Sequence, residues 1–561
     1  MVNVNMQVKE FFLSGTPDDL SSVEVSPADT IDGVKSKIAA TFGIGKTNGI
    51  TFHGEGRVLS VASQVRDHNG RIGVRVSGQQ VREPWCPREL PLVGNHFEIY
   101  PDHMGNHDRL FAKYGGVIKT VNMGTTIYMT NDPEVSEVVL SESEYFTKIT
   151  SDPSHPLFHM KDSTALFMCD TDEPAWALAH KFIPPSMSPK AVRQYVPCMQ
   201  TATEQCFGVF DELDQLGKAF NAYHYMFKMA GQVIYRVVLG LDVGHFKSID
   251  TKPHEIIRLL GEYMHLMKKT SLSPQWYKYL PFGDVRRLET VRTRAWALVQ
   301  DAIDNCETEG DGSDLPMKDA AVQSTCIANY LKRATDDHGN KLPADYLLTN
   351  IVVLIGAGFV TSASLLSWLL YSLTRYPGTQ EKLLQELVDH GATPTTSWTY
   401  DEIMAIPYLD HFIKETHRMH NPSFQTARNA RQDVIVPGGW KIPAGAIVIP
   451  TFPSIHKNKD HWDNPERFDP DRWADTDATR KRHRMAYTPF AAGPRGCVGY
   501  NVAQLEAKLV LANLVYRYQF SDASKEPMEY DPEFLVIRPT NLYIRAVKRT
   551  AWPSKTAGGS S

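Results

Sequence analysis

A glycine-rich segment with a single cysteine carries the residue types best suited to binding a metal ion. It reads Phe490-Ala-Ala-Gly-Pro-Arg-Gly-Cys-Val-Gly499. Cysteine binds metal as its thiolate, and Gly493 and Gly496 let the backbone turn tightly and direct N–H groups toward the sulfur. Such hydrogen bonds temper the electron donation of a metal-bound sulfur. The spacing therefore predicts a metal-bound thiolate at Cys497.

The neighbours of Cys497 have roles in the same interpretation. Phe490 can shield the sulfur from water, and Arg495 is placed to pair with an anionic group of a cofactor. From about Tyr500 the apolar pattern predicts an amphipathic helix, and its positive N-terminal end would favour the thiolate. The alternative is an ordinary buried cysteine in a tight turn. Five positions at fixed spacing argue against that alternative.

This segment matches in full, and so resembles, the haem-binding signature of the cytochrome P450 family. The resemblance covers nearly all of residues 85 to 548. It implies a mainly α cytochrome P450 fold, helix-rich with small β-sheets. It also implies that Cys497 is the proximal ligand of haem b (iron protoporphyrin IX), that Arg495 pairs with a haem propionate, and that Gly499 belongs to the cofactor-binding loop.

Glu415 and Arg418 are spaced to lie on one face of a helix, three residues apart. Most pairs with this spacing are solvated surface contacts. This pair, however, lies about 80 residues before Cys497, and Phe468-Asp-Pro-Asp-Arg472 follows it. In that position it resembles the structural Glu-x-x-Arg pair of the family, which Arg472 would complete as a buried charge cluster. We expect these three residues to support the fold and not to catalyse.

Trp176 and His180 lie four residues apart on a predicted helix, so both side chains can reach one group. Core packing would explain them equally well. The segment resembles the corresponding helix of soluble fatty-acid hydroxylases of the superfamily, and this resemblance implies that both bind a haem propionate. Arg428 matches a further propionate-binding position, with a lone surface arginine as the alternative.

A long apolar segment contains Ala357-Gly358-Phe359-Val360-Thr361. It resembles the distal oxygen-binding groove of the family, in which small residues such as Ala357 and Gly358 leave space for dioxygen and Thr361 offers a hydroxyl. The family normally has an acid where this chain has Val360, which cannot donate a proton. Residues 346 to 380 contain no carboxylate. We therefore expect a different proton route.

These features predict a haem-thiolate monooxygenase that inserts one oxygen atom from O2 into a small apolar organic substrate. Only 64 residues follow Cys497, so electrons are expected from a separate NADPH-dependent reductase or a ferredoxin. The basic run Arg480–Arg484 is either a docking site for that partner or a solvated basic loop. Because of Val360, a peroxide-dependent or redox-neutral haem-thiolate enzyme remains an alternative. A haem-based binding or sensor protein is a further alternative. Phe167 and Phe359 are candidates to face the substrate, or else core residues.

Bulk composition sets the frame for these motifs. The 561 residues have a formal net charge of -5, which gives no basic field for nucleic acid. The seven cysteines are odd in number and contain no CxxC spacing, which argues against disulfide frameworks and zinc sites. The first thirty residues contain no apolar run of anchor length. We expect a soluble cytoplasmic protein whose one long apolar segment, residues 351 to 373, is a core helix and not a membrane span.

Residues 1 to 80 predict a separate α+β unit in front of the haem domain, residues 81 to 561. The pattern gives a helix starting near Thr30 and strands at Met6–Leu13, Ser22–Val25, Gly49–Phe52 and Arg71–Val76. The run Val23–Ile38 resembles the second strand and helix of ubiquitin, which implies a β-grasp fold. A proline-rich junction at Arg82–Pro91 separates the domains.

The ubiquitin-like domain departs from ubiquitin at the positions of its recognition surface. Thr51 and Arg75 stand where the exposed apolar patch is expected, and residues 77 to 81 lack paired glycines. Conjugation to targets is therefore not expected. The domain is either a docking or regulatory module with a protein partner, or a solubilising domain packed on its neighbour.

Overall fold

The computed structural model describes residues 6–158, 162–271, 273, 275–306, 312–424, 426–531 and 536–556. The chain forms two compact units. Unit 1 comprises Met1–His155, Gln425–His461 and His483–Gly496, and unit 2 comprises Pro156–Phe424, Trp462–Arg482 and Cys497–Ser561. We call the segment Phe490–Gly499 the cysteine loop. The boundary between the two units falls within it, because Gly496 belongs to unit 1 and Cys497 to unit 2.

Unit 1 begins with a mixed β-sheet and two helices, which we call the N-terminal module. Its elements are β1 Gln7–Leu13, β2 Thr16–Val25, α1 Ile31–Phe42, β3 Ile50–Gly54, β4 Arg57–Leu59, α2 Ala62–Asp67 and β5 Ile72–Val76. The strand order is β2-β1-β5-β3-β4, with β1 and β5 parallel and the other pairs antiparallel. Alternating buried residues, such as those of β3 and β5, place one face of this sheet against α1.

Helix α1 is defined by its two ends and one apolar stripe. The Thr30 hydroxyl accepts a hydrogen bond of 3.1 Å from the Gly33 N–H at the first turn. Val34 and Ile38 are buried on the sheet. The helix ends at Gly43, whose φ is 67° and whose added Cβ would lie 2.7 Å from the Asp433 carbonyl oxygen. Glycine is required there by both the backbone conformation and the close approach.

The remainder of unit 1 is built around a second small sheet. Its elements are α3 His96–Ile99, α4 His103–Tyr114, β6 Val117–Asn122, β7 Thr125–Thr130, α5 Pro133–Val139, β8 Phe146–Thr147, β12 Arg428–Ala430, β13 Val434–Val436, β14 Trp440–Ile442, β15 Ile447–Pro450 and α19 Phe452–Ile455. The sheet order is β6-β7-β15-β12-β8, and β13 and β14 form a separate antiparallel hairpin.

The β13–β14 hairpin contacts the N-terminal module directly. Ile435 donates its N–H to the Gly43 carbonyl at 2.8 Å and accepts from the Gly45 N–H at 2.9 Å. Its side chain is buried among the core residues of the module. The hairpin therefore completes the hydrophobic core of the module across a large separation in sequence.

Unit 2 is rich in helices. Its elements are α6 Pro174–Phe182, α7 Pro189–Val192, α8 Val196–Glu204, α9 Phe207–Gln215, β9 Phe220–Asn221, α10 Ala222–Leu239, α11 Glu255–Ser271, α12 Asp284–Asp304, β10 Leu315–Pro316, α13 Met317–Gln323, α14 Ile327–Arg333, β11 Ala334–Thr335, α15 Ala344–Arg375, α16 Thr379–Asp389, α17 Tyr400–Met404, α18 Pro407–Met419, α20 Asp477–Lys481, α21 Tyr500–Arg517, β16 Tyr518–Asp522 and β17 Tyr543–Lys548. Helix α15 contacts α10, α11, α12, α18 and α21. Helix-rich architecture with small sheets is confirmed.

Helix α15 is the central helix of the core of unit 2. It is long and apolar enough to cross a membrane, yet 78% of its most apolar window is buried inside the protein. A helix that is apolar on nearly all sides is expected in the core of a large protein. The prediction of a core helix is confirmed.

Candidate active site

The cysteine loop precedes α21, as the sequence predicts. Gly493 has a φ of 72°, and an added Cβ there would lie 2.1 Å from the Leu140 carbonyl oxygen, so the turn requires glycine. The Gly496 N–H donates to the Gly493 carbonyl at 2.9 Å and closes this turn. Phe490 and Arg495 are half-buried at its start and middle.

The Cys497 side chain is solvent-accessible although protein atoms surround it. This enclosure raises the pKa of the thiol, while a hydrogen bond from the Gly499 N–H lowers it. The prediction assigned this role to Gly493 and Gly496, but the Gly496 N–H is bonded to the Gly493 carbonyl. The donor to the sulfur is instead Gly499, which lies at the N-terminal boundary of α21. A thiolate in this enclosed position requires a cation for compensation, and a bound metal ion supplies one.

Arg428 of unit 1 lies close to one carboxylate, that of Glu142, and to a second arginine, Arg495. Its side chain is fully buried and forms an ion pair with Glu142. The pKa of Arg428 is lowered to about 10. Burial is the largest cause, Glu142 opposes it, and the nearby charge of Arg495 adds to the lowering. The alternative of a surface arginine is therefore wrong.

The charges around Arg428 leave room for one more anion. The Glu142 carboxylate pairs with Arg428, and its Oε2 also accepts from the Thr147 hydroxyl at 2.9 Å. Arg428 Nη2 has no hydrogen-bond partner in the described part of the chain. A buried polar atom without a partner is costly, so a carboxylate ligand fits this position. The residues of unit 1 therefore match a propionate-binding role.

Trp176 and His180 lie on one side of α6 in unit 2. Their ring centroids are 4.8 Å apart, and both side chains are only half-buried. The alanines between and beside them, Ala175 and Ala179, are buried instead. Trp176 nevertheless packs against the core of unit 2. Its partial exposure fits a ligand-binding role as well as packing at the edge of the core.

The distal residues of α15 separate into two groups. Ala357 is exposed and Gly358 and Thr361 are half-buried, although most of the helix around them is buried. Because Ala357 and Thr361 are four residues apart, they form one accessible stripe. The Thr361 hydroxyl donates to the Ala357 carbonyl at 2.7 Å on this stripe. The hydroxyl thus lies on the accessible side of α15, where it can form a hydrogen bond with a small ligand or with water.

Phe359 and Val360 belong to the buried group. Both are 0% exposed, and the Phe359 ring packs edge-on against Phe227 with centroids 5.0 Å apart. The structure places Phe359 in the core and away from the accessible stripe, in contrast to the expectation that it faces the substrate. The reason is helical rotation, since a residue two positions from Ala357 points to another side of the helix.

Phe167 lies at the N-terminal end of the stripe. The ring is 44% exposed, while Leu166 and Met168 on either side are buried. Asn350 of α15 fixes this loop, because its side chain accepts from the Leu166 N–H at 2.8 Å and donates to the Thr164 carbonyl at 2.9 Å. Asn350 was missed in the sequence, where nothing links it to a loop more than 180 residues earlier.

The Glu415 cluster has the predicted arrangement. Glu415 and Arg418 are both 0% exposed and form two hydrogen bonds of 2.9 Å. Arg472 Nε adds a third bond of 2.9 Å to the same carboxylate. The Trp473 indole N–H and the Asp469 N–H donate to it as well, at 3.0 and 2.9 Å. Each charged side chain of this cluster thus has a partner of opposite charge.

The comparisons with known proteins agree with this geometry. Residues 84–546 match the family described as Cytochrome P450. Cytochrome P450 monooxygenase alnD of Emericella nidulans is 50% identical, over 98% of this chain and 100% of that protein. Cytochrome P450 4F5 of Rattus norvegicus is 28% identical over 68% of this chain and 73% of its own length. Leukotriene-B4 omega-hydroxylase 3 of Mus musculus is 27% identical over 66% and 71%, respectively.

A solved structure shares the fold. The crystal structure of the cytochrome P450DA heme domain aligns with a TM-score of 0.73 and 23% identity, over 84% of this chain and 98% of that chain. At this identity the likeness concerns the fold alone.

Proposed function

Because this chain belongs to the cytochrome P450 family, we propose that Cys497 ligates the iron of haem b in a monooxygenase that acts on an apolar organic substrate. The protein is a haem-dependent oxidoreductase, and enzymes of this family use a redox partner and organic substrates. Haem, when bound, supplies the centre at which O2 is activated with electrons from that partner. The observation that carries the proposal is the accessible Cys497 sulfur directly before α21.

The chain's own residues divide the remaining tasks. Cys497 holds the iron, and the Gly499 N–H moderates its sulfur. Arg428 and Arg495 would bind haem propionates through their charge, and Trp176 and His180 would do so through their ring N–H groups. Thr361 positions a hydroxyl on the accessible stripe beside Ala357. Gly358 packs instead against Ile234 of α10, where an added Cβ would lie 2.6 Å from the Ile234 side chain. Glu415, Arg418 and Arg472 form a structural cluster and touch no reacting atom.

Turnover of the purified protein decides between electron-driven and peroxide-driven chemistry. The protein is assayed with NADPH and a P450 reductase or ferredoxin system, and in parallel with hydrogen peroxide alone. We expect product and NADPH oxidation with the reductase system, at a rate well above that with peroxide. Turnover with peroxide but none with the reductase system would overturn the monooxygenase assignment.

Phe167 is proposed to contact the substrate, since its exposed ring lies in the loop that Asn350 ties to α15, seven residues before Ala357. We expect Phe167→Ala to weaken substrate binding by about 5- to 30-fold, which corresponds to about 1–2 kcal/mol of lost apolar contact. Haem content should stay constant. The substrate-induced shift of the haem spectrum measures this affinity. Phe97→Ala, which removes an aromatic ring 70% exposed in unit 1, is the control and should leave the affinity unchanged.

The N-terminal module is proposed to be a ubiquitin-like β-grasp domain over residues 1–80, followed by the haem domain over residues 81–561. The strand order around α1 supports the first assignment, and the family match that begins at residue 84 supports the second. Contacts with the β13–β14 hairpin favour a domain packed on its neighbour over a loosely tethered docking module. The buried α15 supports a soluble cytoplasmic enzyme.

Glu137 of α5 links this module to the segment before the cysteine loop. Its carboxylate contacts Lys46 at 2.6 Å and also pairs with Arg484. These cations lower the pKa of Glu137 from 4.5 to about 2. Since the pKa is depressed in the folded state, the stabilisation is complete above pH 4.5 and disappears as the pH falls toward 2.

Glu137→Gln is therefore expected to lower the stability of the folded protein by about 1 kcal/mol at neutral pH. The difference from the wild type should shrink steadily as the pH falls from 4.5 toward 2. Thermal unfolding across this pH range measures it. Glu10→Gln, in an exposed ion pair of the same module, should show no such trend, and a constant difference for Glu137→Gln would contradict the linkage.

A further inference from the structure

Unit 2 contains a cavity at the C-terminal end of α21, which we call the C-terminal cavity. Its volume is about 140 Å³, which is similar to the ~150 Å³ of an apolar cavity that binds benzene. Its walls come from α8, α9, the loop after α16, the last turns of α21 and the segment after β17. All of these segments belong to unit 2. Asn513 in the wall follows Tyr500 by 13 residues, so about 20 Å of helix separates the cavity from the cysteine loop.

Aromatic side chains form the apolar part of the walls. They are Phe207, Trp398, Tyr516 and Trp552. Trp552 stacks on Tyr516, with ring centroids 5.5 Å apart and an angle of 22° between the planes. The Trp552 side chain is nevertheless 38% exposed. A ring that is stacked on one side can stack with a planar ligand on the other.

Trp552 is held in place although it belongs to no helix or strand. Its indole N–H donates to the Tyr516 carbonyl at 2.9 Å. The same C-terminal segment is tied to α16, because the Thr556 N–H and hydroxyl donate to the Asp389 carboxylate at 2.8 and 2.9 Å. Specific contacts of the protein itself therefore build this wall.

The charged side chains of the cavity are mostly cations. Arg517, Lys548 and Arg549 lie in its lining. Arg517 and Lys548 share the Asp211 carboxylate, with charged atoms 2.8 and 2.6 Å apart. Glu204 is the one carboxylate among the described lining residues. Three positive charges and two negative charges leave a net charge of +1 in the lining and its ion pairs, which favours an anionic ligand.

Arg549 is the cation that lacks a counter-charge in contact. Its Nε donates to the Val515 and Tyr518 carbonyls at 3.0 and 3.2 Å. Its Nη2 is buried and has no hydrogen-bond partner among the described residues. Burial lowers the pKa of Arg549, and the charge of Glu381 opposes this lowering from a distance. A ligand carboxylate beside the guanidinium would supply the missing partner, since carboxylate and guanidinium form strong charged hydrogen bonds.

We propose that the C-terminal cavity binds a small aromatic carboxylate, with its ring against Trp552 and its carboxylate beside Arg549. The volume suits a single ring, the stacked indole selects a planar group, and the guanidinium selects an anion. None of the lining residues is among those assigned to haem, oxygen or substrate. The cavity is therefore a second ligand site of unit 2, separate from the active site.

Isothermal titration calorimetry of the haem-loaded full chain tests the site with benzoate as the probe. We expect one saturable site with a dissociation constant of about 0.1–1 mM. Benzyl alcohol, which keeps the ring without the charge, should bind about 10-fold more weakly or worse. Cyclohexanecarboxylate, which keeps the charge without the flat ring, should bind about 3- to 10-fold more weakly. The haem spectrum should not change during the titration.

Two outcomes of this titration would contradict the proposal. Equal affinities for benzoate and benzyl alcohol would show that no cation selects the ligand. A change of the haem spectrum that follows the benzoate isotherm would assign the binding to the active site instead.

Variants locate the binding on the chain. We expect Arg549→Gln to weaken benzoate binding about 10-fold or more and Trp552→Ala to weaken it about 3- to 10-fold. Arg545→Gln, at an exposed arginine of β17, and Trp276→Ala, at an indole that is 63% exposed elsewhere in unit 2, should bind benzoate like the wild type. Trp552 lies at the surface, so Trp552→Ala should keep the thiolate-type carbon monoxide spectrum. Wild-type affinity in Trp552→Ala would refute the site even if Arg549→Gln fails to fold.

Discussion

Replacing Cys497 with serine is expected to abolish reductase-driven oxygenation while the protein stays folded. The side chain is accessible and its described hydrogen bond is a single one, from the Gly499 N–H, so little packing is lost. Mutation of groups that surround a metal ligand lowers activity by up to ~100-fold. Loss of the iron ligand itself should lower activity by more than that. The reduced protein under carbon monoxide should lack the long-wavelength Soret band of thiolate-bound haem, while circular dichroism should be unchanged.

Cys86→Ser serves as the matched cysteine variant. Cys86 lies in the proline-rich junction, half-buried near Glu89, and its replacement should leave the thiolate-type spectrum intact. If Cys497→Ser retained this spectrum, Cys497 would not be the ligand and the family's haem chemistry would have to be assigned to another side chain.

Replacing Glu415 with alanine is expected to destabilise the protein by about 3–5 kcal/mol, because it leaves buried cations without a counter-charge. Arg418 is 0% exposed, and the side chain of Arg472 is 9% exposed. The Trp473 N–H loses its acceptor as well. Denaturant unfolding of the haem-free and haem-loaded chains measures the loss, and a low yield of soluble variant is part of the expected result.

Glu289→Ala is the control with the same spacing. Glu289 and Arg292 are also three residues apart on a helix, but their side chains are 69% and 45% exposed and their charged atoms lie 3.8 Å apart. The expected effect is about 0–1 kcal/mol. Equal losses at Glu415 and Glu289 would show that burial of the first cluster contributes nothing to stability.

These two glutamates show what sequence spacing can and cannot predict. A separation of three residues fixes a common helix face, but burial depends on elements elsewhere in the chain. For Glu415 the motif resemblance supplied that missing information, and the structure places all three predicted charges together. The cysteine loop, the core helix and the presence of α21 were predictable for the same reason, since each is determined by a contiguous stretch. The amphipathic pattern predicted for α21 is wrong, because residues 504 to 512 are all buried and so cover every side of the helix.

Relations between distant residues were not predictable. Glu142 beside Arg428 and Asn350 beside Phe167 each join segments that only the tertiary fold brings together. The prediction that Phe359 faces the substrate was wrong for a local reason. A motif gives the order of residues but not which of them face solvent. A rotation of about 100° per residue separates neighbours within one motif.

Because the Ile435 side chain is part of the core of the N-terminal module, the module cannot be moved to another protein without the hairpin that carries Ile435. A chimera that exchanges residues 6–80 between relatives must also exchange the β13–β14 hairpin. Otherwise the packing and the hydrogen bonds between Gly43 and Ile435 will not match. The same physical dependence predicts paired drift during evolution, in which a change in volume at Ile435 is accompanied by a compensating change among the module's own buried positions. Recombination within this protein is thus constrained by a contact that no linear boundary reveals.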